Sequence, residues 1–427
     1  MLAADPLCTP NAEIPARLHP SGFDKSDSNF YSLTLASDGC VYYTLSSHDI
    51  DTHARVFRYD PAADEVSQLC VLGEVVGEAD TGTIPQGKSH SPFYELDGKL
   101  YLASHYGFFQ SSGNKERPAG VPDGYKQYPG GHIISYDMAT GDFADLATAP
   151  TAEGIITFAL DPVKRRGYCL TWPKGLFLYH DLETGETRNL GPVSLDGEVG
   201  EGDRYMCLCR VFAIVPGTGV VYMTNPTGDI LKYDPESDAI APLEHVSLKR
   251  DIFGTWDPHV PGHQGYNWRD LVWHPEDRCY YAVHGRSAYL FRFDPAVEQI
   301  EFIDRICADA LRRNGAYEPF RYGYLTLALS DDGRTLYYLT GVSNFTADDG
   351  REVSEVTHLI SYNLRTNTYR DHGILRLGDG RYPVMSHTLA FQNGKLYACP
   401  WIEMPGSDSD GPPKRQVDLI SFDAPAT

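Results

Sequence analysis

The chain repeats one arrangement of apolar and polar positions seven times. Each copy begins with two stretches of alternating apolar and polar residues, joined by a turn that contains Asp-Gly, Asn-Gly or Pro. This pattern predicts a β-hairpin. A second hairpin follows, and its first strand ends in an aromatic residue, an Asp or its substitute, and a turn. Clear copies of this ending read FRYDPAADEV, LKYDPESDAI and FRFDPAVEQI.

Each copy therefore predicts four consecutive antiparallel strands, here called a to d, as in one blade of a β-propeller. Seven copies predict an all-β, seven-bladed β-propeller that occupies residues 1–427 as a single domain. The last copy ends near residue 424 and lacks a fourth strand. We expect the N-terminal segment 11–30 to supply that strand and close the ring, which leaves no open sheet edge. One helix is predicted over 304–315, inside an insertion.

The composition excludes several classes of function. Apolar residues make up 42% of the chain, which is enough for a large core, and the formal net charge is −22. A body this acidic argues against binding nucleic acid or an anionic membrane, because both require a basic surface. A small anionic substrate remains compatible with this charge, because a few local Arg and His residues suffice to hold it.

The nine cysteines bear on the compartment. They include no CxxC pair, and several lie within apolar strands, so we expect buried free thiols. Free thiols favour a reducing compartment, and no signal peptide precedes the first strand. Together these features favour the cytoplasm, with a secreted or periplasmic form as the alternative if a leader has been removed.

One rim of the predicted propeller collects chemically active side chains. Strand a of each blade begins at this rim and strand b ends there, so residues at those positions share it. They include His90, His105, Tyr106, Trp172, Arg210, Arg269, His284, Tyr322, Tyr324 and His387. Arg210 and Arg269 have apolar neighbours, where a cation is costly unless an anion meets it. A polar cluster at a concave mouth is the default candidate for a functional site.

The residue types at this rim favour one chemistry over others. The sequence contains no GxSxG, Walker or dinucleotide-binding glycine motif. Glycoside hydrolysis needs two carboxyl groups that face one bond, and the rim offers few. β-Elimination from a uronic acid needs a cation, a base and an acid, which Arg, His and Tyr provide. Three functions remain: a uronate-directed lyase, another propeller enzyme such as a hydrolase or isomerase, and a non-catalytic propeller that binds a protein or a sugar.

The stretch GKSHSPFYELDGKLYLASHYGFF, followed by QYPGGHIISYD, resembles the β-propeller polysaccharide lyases, among them the ulvan lyases and the rhamnosyl-glucuronate lyases. The resemblance implies catalysis by His90, His105 and a tyrosine. Tyr128, in a loop rich in Gly and Pro, matches that tyrosine most simply, and Tyr125 is the alternative. We expect this loop to close over a bound substrate so that the Tyr128 phenol serves as the base.

The resemblance also implies a substrate-binding set. Arg210, or alternatively Arg204, would neutralise the uronate carboxylate, and Tyr324 or Tyr322 would contact the sugar. We expect Arg269, His284, His387, Tyr106 and Trp172 to complete the substrate site. The implied partner is an acidic oligo- or polysaccharide. The chain is expected to be a monomer that requires no cofactor, although the rim histidines could hold a divalent cation.

Overall fold

The computed structural model describes residues 7–112, 115–118, 120–253, 256–259, 265–285, 287–314, 326–340, 342–346, 352–355, 357–404 and 415–425. The chain divides into two compact units. The N-terminal unit comprises Lys25–Lys249 and Thr255–Asn267, and the C-terminal unit comprises Met1–Asp24, Arg250–Gly254 and Trp268–Thr427. The first strand, β1 (Glu13–His19), belongs to the C-terminal unit.

The N-terminal unit is built from antiparallel sheets of mostly consecutive strands. Its first sheet contains β2 (Leu33–Leu35), β3 (Val41–Leu45), β4 (Arg55–Asp60) and β5 (Glu65–Val71), followed by the short helix α1 (Leu72–Val75). The second contains β6 (Lys88–Ser89), β7 (Tyr94–Leu96), β8 (Lys99–His105), β11 (His132–Asp137) and β12 (Phe143–Thr148), with β9 (Phe109–Ser112) and β10 (Lys115–Pro118) as a separate hairpin. The third contains β13 (Gly154–Asp161), β14 (Arg166–Trp172), β15 (Leu176–Asp181) and β16 (Thr187–Pro192). The fourth contains β17 (Ala213–Ile214), β18 (Val221–Thr224), β19 (Asp229–Asp234) and β20 (Ala239–Ser247). Short 3-10 helices occupy Pro150–Ala152, Gly197–Val199 and Gly202–Arg204.

The C-terminal unit continues the pattern after a 3-10 helix at Asp251–Phe253. One sheet contains β21 (Trp268–His274), β22 (Cys279–His284), β23 (Tyr289–Asp294) and β24 (Gln299–Arg305), followed by α2 (Asp309–Asn314). An eight-stranded sheet joins β25 (Ala328–Leu329), β26 (Thr335–Leu339), β29 (His358–Asn363), β30 (Thr368–Leu377), β1, β36 (Leu419–Asp423), β33 (Lys395–Ala398) and β32 (Ala390–Gln392), in that order. Smaller sheets pair β27 (Val342–Thr346) with β28 (Glu352–Glu355), and β31 (Pro383–Ser386) and β35 (Arg415–Val417) with β34 (Pro400–Glu403).

The repeated Asp caps its own turn, as the sequence indicates. Asp137, at the end of β11, accepts hydrogen bonds on Oδ1 from Ala139 N at 3.0 Å and Thr140 N at 3.2 Å. An acceptor side chain in this position fixes the turn between the third and fourth strands. Apolar residues of adjacent sheets pack together, so that Ile133 of the second sheet shares a cluster with Phe158 of the third. The core therefore lies between the faces of successive sheets.

The N-terminal strand completes the last sheet, as predicted. β1 pairs antiparallel with β36, with Arg17 opposite Ser421, and parallel with β30, with Glu13 opposite Ile374. The predicted helix over 304–315 is shorter than expected, because its first residues extend β24, where Arg305 pairs with Tyr289. The count of seven blades and the single-domain organisation stay predictions.

The described part of the chain bears on two further expectations. All nine cysteines are free thiols; seven are buried and two are half-buried, as the apolar strands indicate. Among the described residues, no helix has the length and apolar character needed to cross a membrane.

Candidate functional site

The candidate site of the N-terminal unit forms where strands b end. His105 is the last residue of β8, and Trp172 is the last residue of β14. Lys88 on β6 lies directly opposite His105 in the strand pairing. Gly154 lies opposite Trp172, and a Cβ at Gly154 would stand 2.3 Å from His105 Nδ1. The His105 ring therefore occupies the space that a side chain at residue 154 would fill.

Aromatic rings and cations surround His105. The His90 and His105 rings meet edge to face with centroids 5.8 Å apart, and Trp172 meets His105 on another side at 5.5 Å. Phe30, which is half-buried, stacks on His90 at 5.0 Å, and Lys88 Nζ lies 4.8 Å from the Phe30 centroid. We call these residues, together with His48 and Arg210, the His105 cluster. Its mixture of flat rings and cations suits an anionic sugar.

The backbone beside the His105 cluster is strained at Tyr31. Tyr31 has φ 60°, a left-handed conformation that an aromatic residue adopts at a cost, and its ring lies 5.8 Å from that of His90. Such strain is typically worth about 1–3 kcal/mol and persists where the surroundings enforce it. The loop before β2 is therefore held in a conformation that keeps Phe30 and Tyr31 against His90.

The electrostatics of His105 are unusual for a histidine. The side chain is 4% exposed. Burial, and then the charges of Lys88, Arg210 and His48, lower the pKa of His105 well below its usual value. The imidazole is therefore neutral at neutral pH, which is the form that accepts a proton. Among the described residues, none forms a hydrogen bond with its Nδ1.

Arg210 forms an ion pair with a carboxylate of the same chain. Its Nη2 donates to Glu198 Oε1 at 2.7 Å, and its Nη1 donates to Leu208 O at 2.9 Å. Glu198 is 3% exposed and also accepts a hydrogen bond from Trp172 Nε1 at 2.8 Å. Burial alone would raise the pKa of Glu198, but the Arg210 charge and the hydrogen bonds hold it below the usual range. Glu198 thus compensates Arg210 and connects it to Trp172.

Tyr128 occupies a different setting from the expected one. It is 2% exposed, and its hydroxyl donates to Gln86 Oε1 at 2.6 Å. Burial, followed by the charge of Glu78, raises the pKa of Tyr128 well above its usual value. The phenol therefore stays protonated at neutral pH, and in that form it does not serve as a base. Its ring meets Tyr106 edge to face at 4.8 Å, so Tyr128 supports the wall that Tyr106 and Trp172 form beside His105.

The two alternatives named from the sequence lie on the surface. Tyr125 donates a hydrogen bond to Asp51 Oδ1 at 2.5 Å, an exposed contact. Arg204 forms an exposed ion pair with Asp196. Both side chains are therefore held at the surface by carboxylates of the N-terminal unit.

The remaining predicted residues belong to the C-terminal unit. His284 is 1% exposed, stacks on Phe253 with centroids 3.9 Å apart, and has its Nδ1 2.8 Å from Ser287 Oγ. His387 meets Trp401 edge to face at 5.2 Å. Arg269, on β21, is 5% exposed. Tyr322 and Tyr324 lie outside the described residues.

The structure adds residues that the sequence reasoning missed. Lys88 precedes His90 by two residues in the same motif, and its polar neighbours in the sequence gave no signal that it is buried opposite His105. Glu198 lies in a loop of variable spacing, so the repeat alignment could not place it against Arg210. Within the described part of the chain, no three His, Cys, Asp or Glu side chains converge as a metal site would require.

Comparisons with known proteins bear on the fold. No family model matches the chain, and no curated protein matches its sequence. Virginiamycin B lyase from Staphylococcus aureus shares 9% identity at a TM-score of 0.52, over 96% of this chain and 98% of that one. The β-propeller domain of Cps50 (Swd1) from Myceliophteria thermophila shares 10% identity at a TM-score of 0.52, over 95% of this chain and 99% of that one. A chain of the mitotic checkpoint complex shares 11% identity at a TM-score of 0.51, over 100% of this chain and 98% of that one. The fold class is thus an all-β propeller, as predicted from the repeat.

Proposed function

We propose that the His105 cluster binds a uronate-containing glycan and cleaves the glycosidic bond beside the uronate by β-elimination. The observation that carries this proposal is the neutral, buried His105 ring among cations. Cations neutralise the negative charge of a bound carboxylate and so stabilise the carbanion-like transition state. Burial, together with the same cations, keeps His105 unprotonated, which is the form that can accept a proton.

The reaction assigns roles to the residues of the cluster. His105 accepts the proton on the carbon that bears the carboxylate, and the carbon–hydrogen bond breaks. The electron pair forms a double bond to the neighbouring carbon, and the bond from that carbon to the glycosidic oxygen breaks. His90, whose ring lies 5.8 Å from that of His105, supplies the proton to the leaving oxygen. The step consumes no water and needs no redox partner. Trp172 and Tyr106 offer faces for the sugar ring.

The test is incubation with polysaccharides that contain glucuronate or iduronate. The ultraviolet absorbance of the conjugated double bond reports elimination, and mass spectrometry of the products distinguishes it from hydrolysis. Elimination gives one fragment that lacks the elements of water, whereas hydrolysis adds water across the two fragments. The matched control is His245→Ala, because His245 is exposed on β20.

Other outcomes would assign another function. Fragments that have gained water would identify a hydrolase. Binding of the glycan without any new product would identify a carbohydrate-binding propeller. Neither binding nor product across the set of uronate glycans would reject the proposal.

A further inference from the structure

Glu198 is a buried acid beside the His105 cluster to which the proposed reaction assigns no role. It lies in the 3-10 helix Gly197–Val199, and its backbone N donates to Pro173 O at 2.8 Å. Gly197 allows this close approach, because it adopts φ 59° and a Cβ there would overlap Pro173 O. The backbone therefore holds Glu198 next to the end of β14, where Trp172 lies.

Both carboxylate oxygens of Glu198 accept hydrogen bonds. Oε1 accepts from Arg210 Nη2 at 2.7 Å and from Leu208 N at 3.0 Å. Oε2 accepts from Trp172 Nε1 at 2.8 Å. A glutamine would accept on one oxygen and present N–H groups in place of the other, so it could not serve donors on both sides. An ionised carboxylate matches this set of donors, in agreement with the lowered pKa of Glu198.

The Trp172 indole connects this carboxylate to His105. Its N–H is held by Glu198, and its ring meets the His105 ring edge to face with centroids 5.5 Å apart. Trp172 and His105 are each 4% exposed, so both rings lie in a closely packed interior. A change in the tilt of the indole must therefore be taken up by the side chains that pack against it, and His105 is one of them.

We propose that Glu198 is a positioning residue for the base, and that it acts on His105 through the Trp172 indole. This inference rests on the proposed function, in which His105 removes the proton. In this role Glu198 touches neither the substrate nor the reacting atoms. Loss of its hydrogen bond to Trp172 should lower kcat and leave KM nearly unchanged, because the placement of the base matters chiefly in the transition state.

The test is a double-mutant cycle that combines Glu198→Gln with His105→Ala. The rate of unsaturated product from a glucuronate-containing polysaccharide is measured for the wild type, both single variants and the double variant. Glu244→Gln is the matched control, because Glu244 is exposed on β20. Thermal unfolding confirms that each variant is folded at the assay temperature. Trp172→Phe, which removes the indole N–H, takes the place of Glu198→Gln in the cycle if that variant does not fold.

We expect Glu198→Gln to lower kcat by about 10- to 100-fold, because a displacement of the base by roughly 1 Å is enough for such a loss. In the His105→Ala background the same substitution should have no further effect, since the group that it positions is absent. A general loss of structure would instead lower the rate by an equal factor in both backgrounds, and that result overturns the inference. A kcat within about threefold of the wild type also overturns it.

A spectroscopic measurement separates this inference from the lyase activity. Nuclear magnetic resonance of protein labelled in its tryptophan and histidine rings reports the Trp172 and His105 signals, which are assigned by their absence in Trp172→Phe and His105→Ala. Glu198→Gln should shift both signals, and Glu244→Gln should shift neither. If both shift while the wild type forms no unsaturated product, the lyase proposal fails and the coupling of Glu198 to His105 stands. A His105 signal that does not shift in Glu198→Gln overturns the inference, whatever the activity.

Discussion

Two buried histidines at neighbouring strand ends of one sheet have pKa values that are shifted in opposite directions. His105 ends β8, and burial followed by the charges of nearby cations lowers its pKa well below the usual value. His132 begins the adjacent strand β11, with Glu78 Oε1 2.9 Å from its Nε2 and Asp145 Oδ2 3.0 Å from its Nδ1. Burial opposes these carboxylates, yet they raise the pKa of His132 to about 9. One ring is kept neutral and the other is kept charged.

The two rings also differ in their hydrogen bonds. His132 has both nitrogens satisfied, and its backbone N donates to Ser104 Oγ, which in turn donates to Gln86 Oε1 at 2.7 Å. Gln86 Nε2 reaches Glu78 Oε2 at 2.9 Å, which closes a network of buried polar groups. A fully connected network of this kind rigidifies its surroundings. His105 instead has a buried Nδ1 with which none of the described residues forms a hydrogen bond.

The largest expected effect is on turnover at His105. His105→Ala should lower turnover of a uronate glycan by about 10²- to 10⁴-fold, the usual contribution of a general base. The variant should remain folded, because the wild-type ring is buried without a charge of its own. The measurement is the rate of unsaturated product beside that of His245→Ala. Turnover within about tenfold of wild type, or ~1.4 kcal/mol, would remove His105 from the base position.

The next effect is on stability at His132. Its folded pKa of about 9 lies above the ordinary value of 6.5, so its stabilisation is complete below pH 6.5 and disappears as the pH rises through 9. His132→Gln should therefore lower the free energy of unfolding by on the order of 3 kcal/mol at pH 6. Urea unfolding should show this difference shrinking as the pH rises from 6.5 to 9 and staying small at higher pH. A difference that stays constant with pH would mean that His132 is not charged in the folded protein.

A smaller effect on turnover is expected at Gly154, which has no side chain to collide with the His105 ring. A Cβ there would stand 2.3 Å from His105 Nδ1 and 3.1 Å from Tyr106 N, so the ring must move. Gly154→Ala should reduce turnover by up to about 100-fold, because misplacement by roughly 1 Å is enough for such a loss. Gly120→Ala is the matched control, since its Cβ would meet nothing within 4 Å. Equal turnover in both variants would show that the exact position of the His105 ring does not matter.

The smallest effect is expected at Tyr128. Tyr128→Phe removes one hydrogen bond to Gln86 and should cost about 1 kcal/mol of stability. Turnover should stay within about threefold of wild type, a change of well under 1.4 kcal/mol in the barrier. Parallel assays of stability and turnover make the comparison. A folded Tyr128→Phe variant without activity would return the proton transfer to the phenol and remove it from His105.

The sequence predicted the strands well because their signals are local. Alternation, Asp-Gly turns and the Tyr-Asp repeat each depend on a few adjacent residues, and Asp137 caps its turn as its position indicates. The pairing of β1 with β36 was also predictable, because a missing strand near residue 424 requires a partner from elsewhere in the chain. The predicted helix was too long because its first two residues, Asp304 and Arg305, belong to β24, and α2 begins only at Asp309.

The candidate site was predicted less completely, because its properties depend on contacts between distant residues. The repeat placed His90, His105 and Trp172 at one strand end, and the structure brings them together. It could not show that Glu198 meets Arg210, since the two lie in a loop whose path the repeat does not define. It also could not show that Tyr128 is buried, because a loop rich in Gly and Pro gives no periodic signal of burial.

The position of β1 has a consequence for biosynthesis. His19 Nε2 lies 2.8 Å from Ser421 Oγ, a partner 402 residues later in the chain. At a translation rate of about 5–20 residues per second, this partner emerges roughly 20 to 80 seconds after β1 does. During that interval β1 lacks its β36 partner, so nascent chains should be vulnerable to proteases and in need of chaperones until β36 has been synthesised.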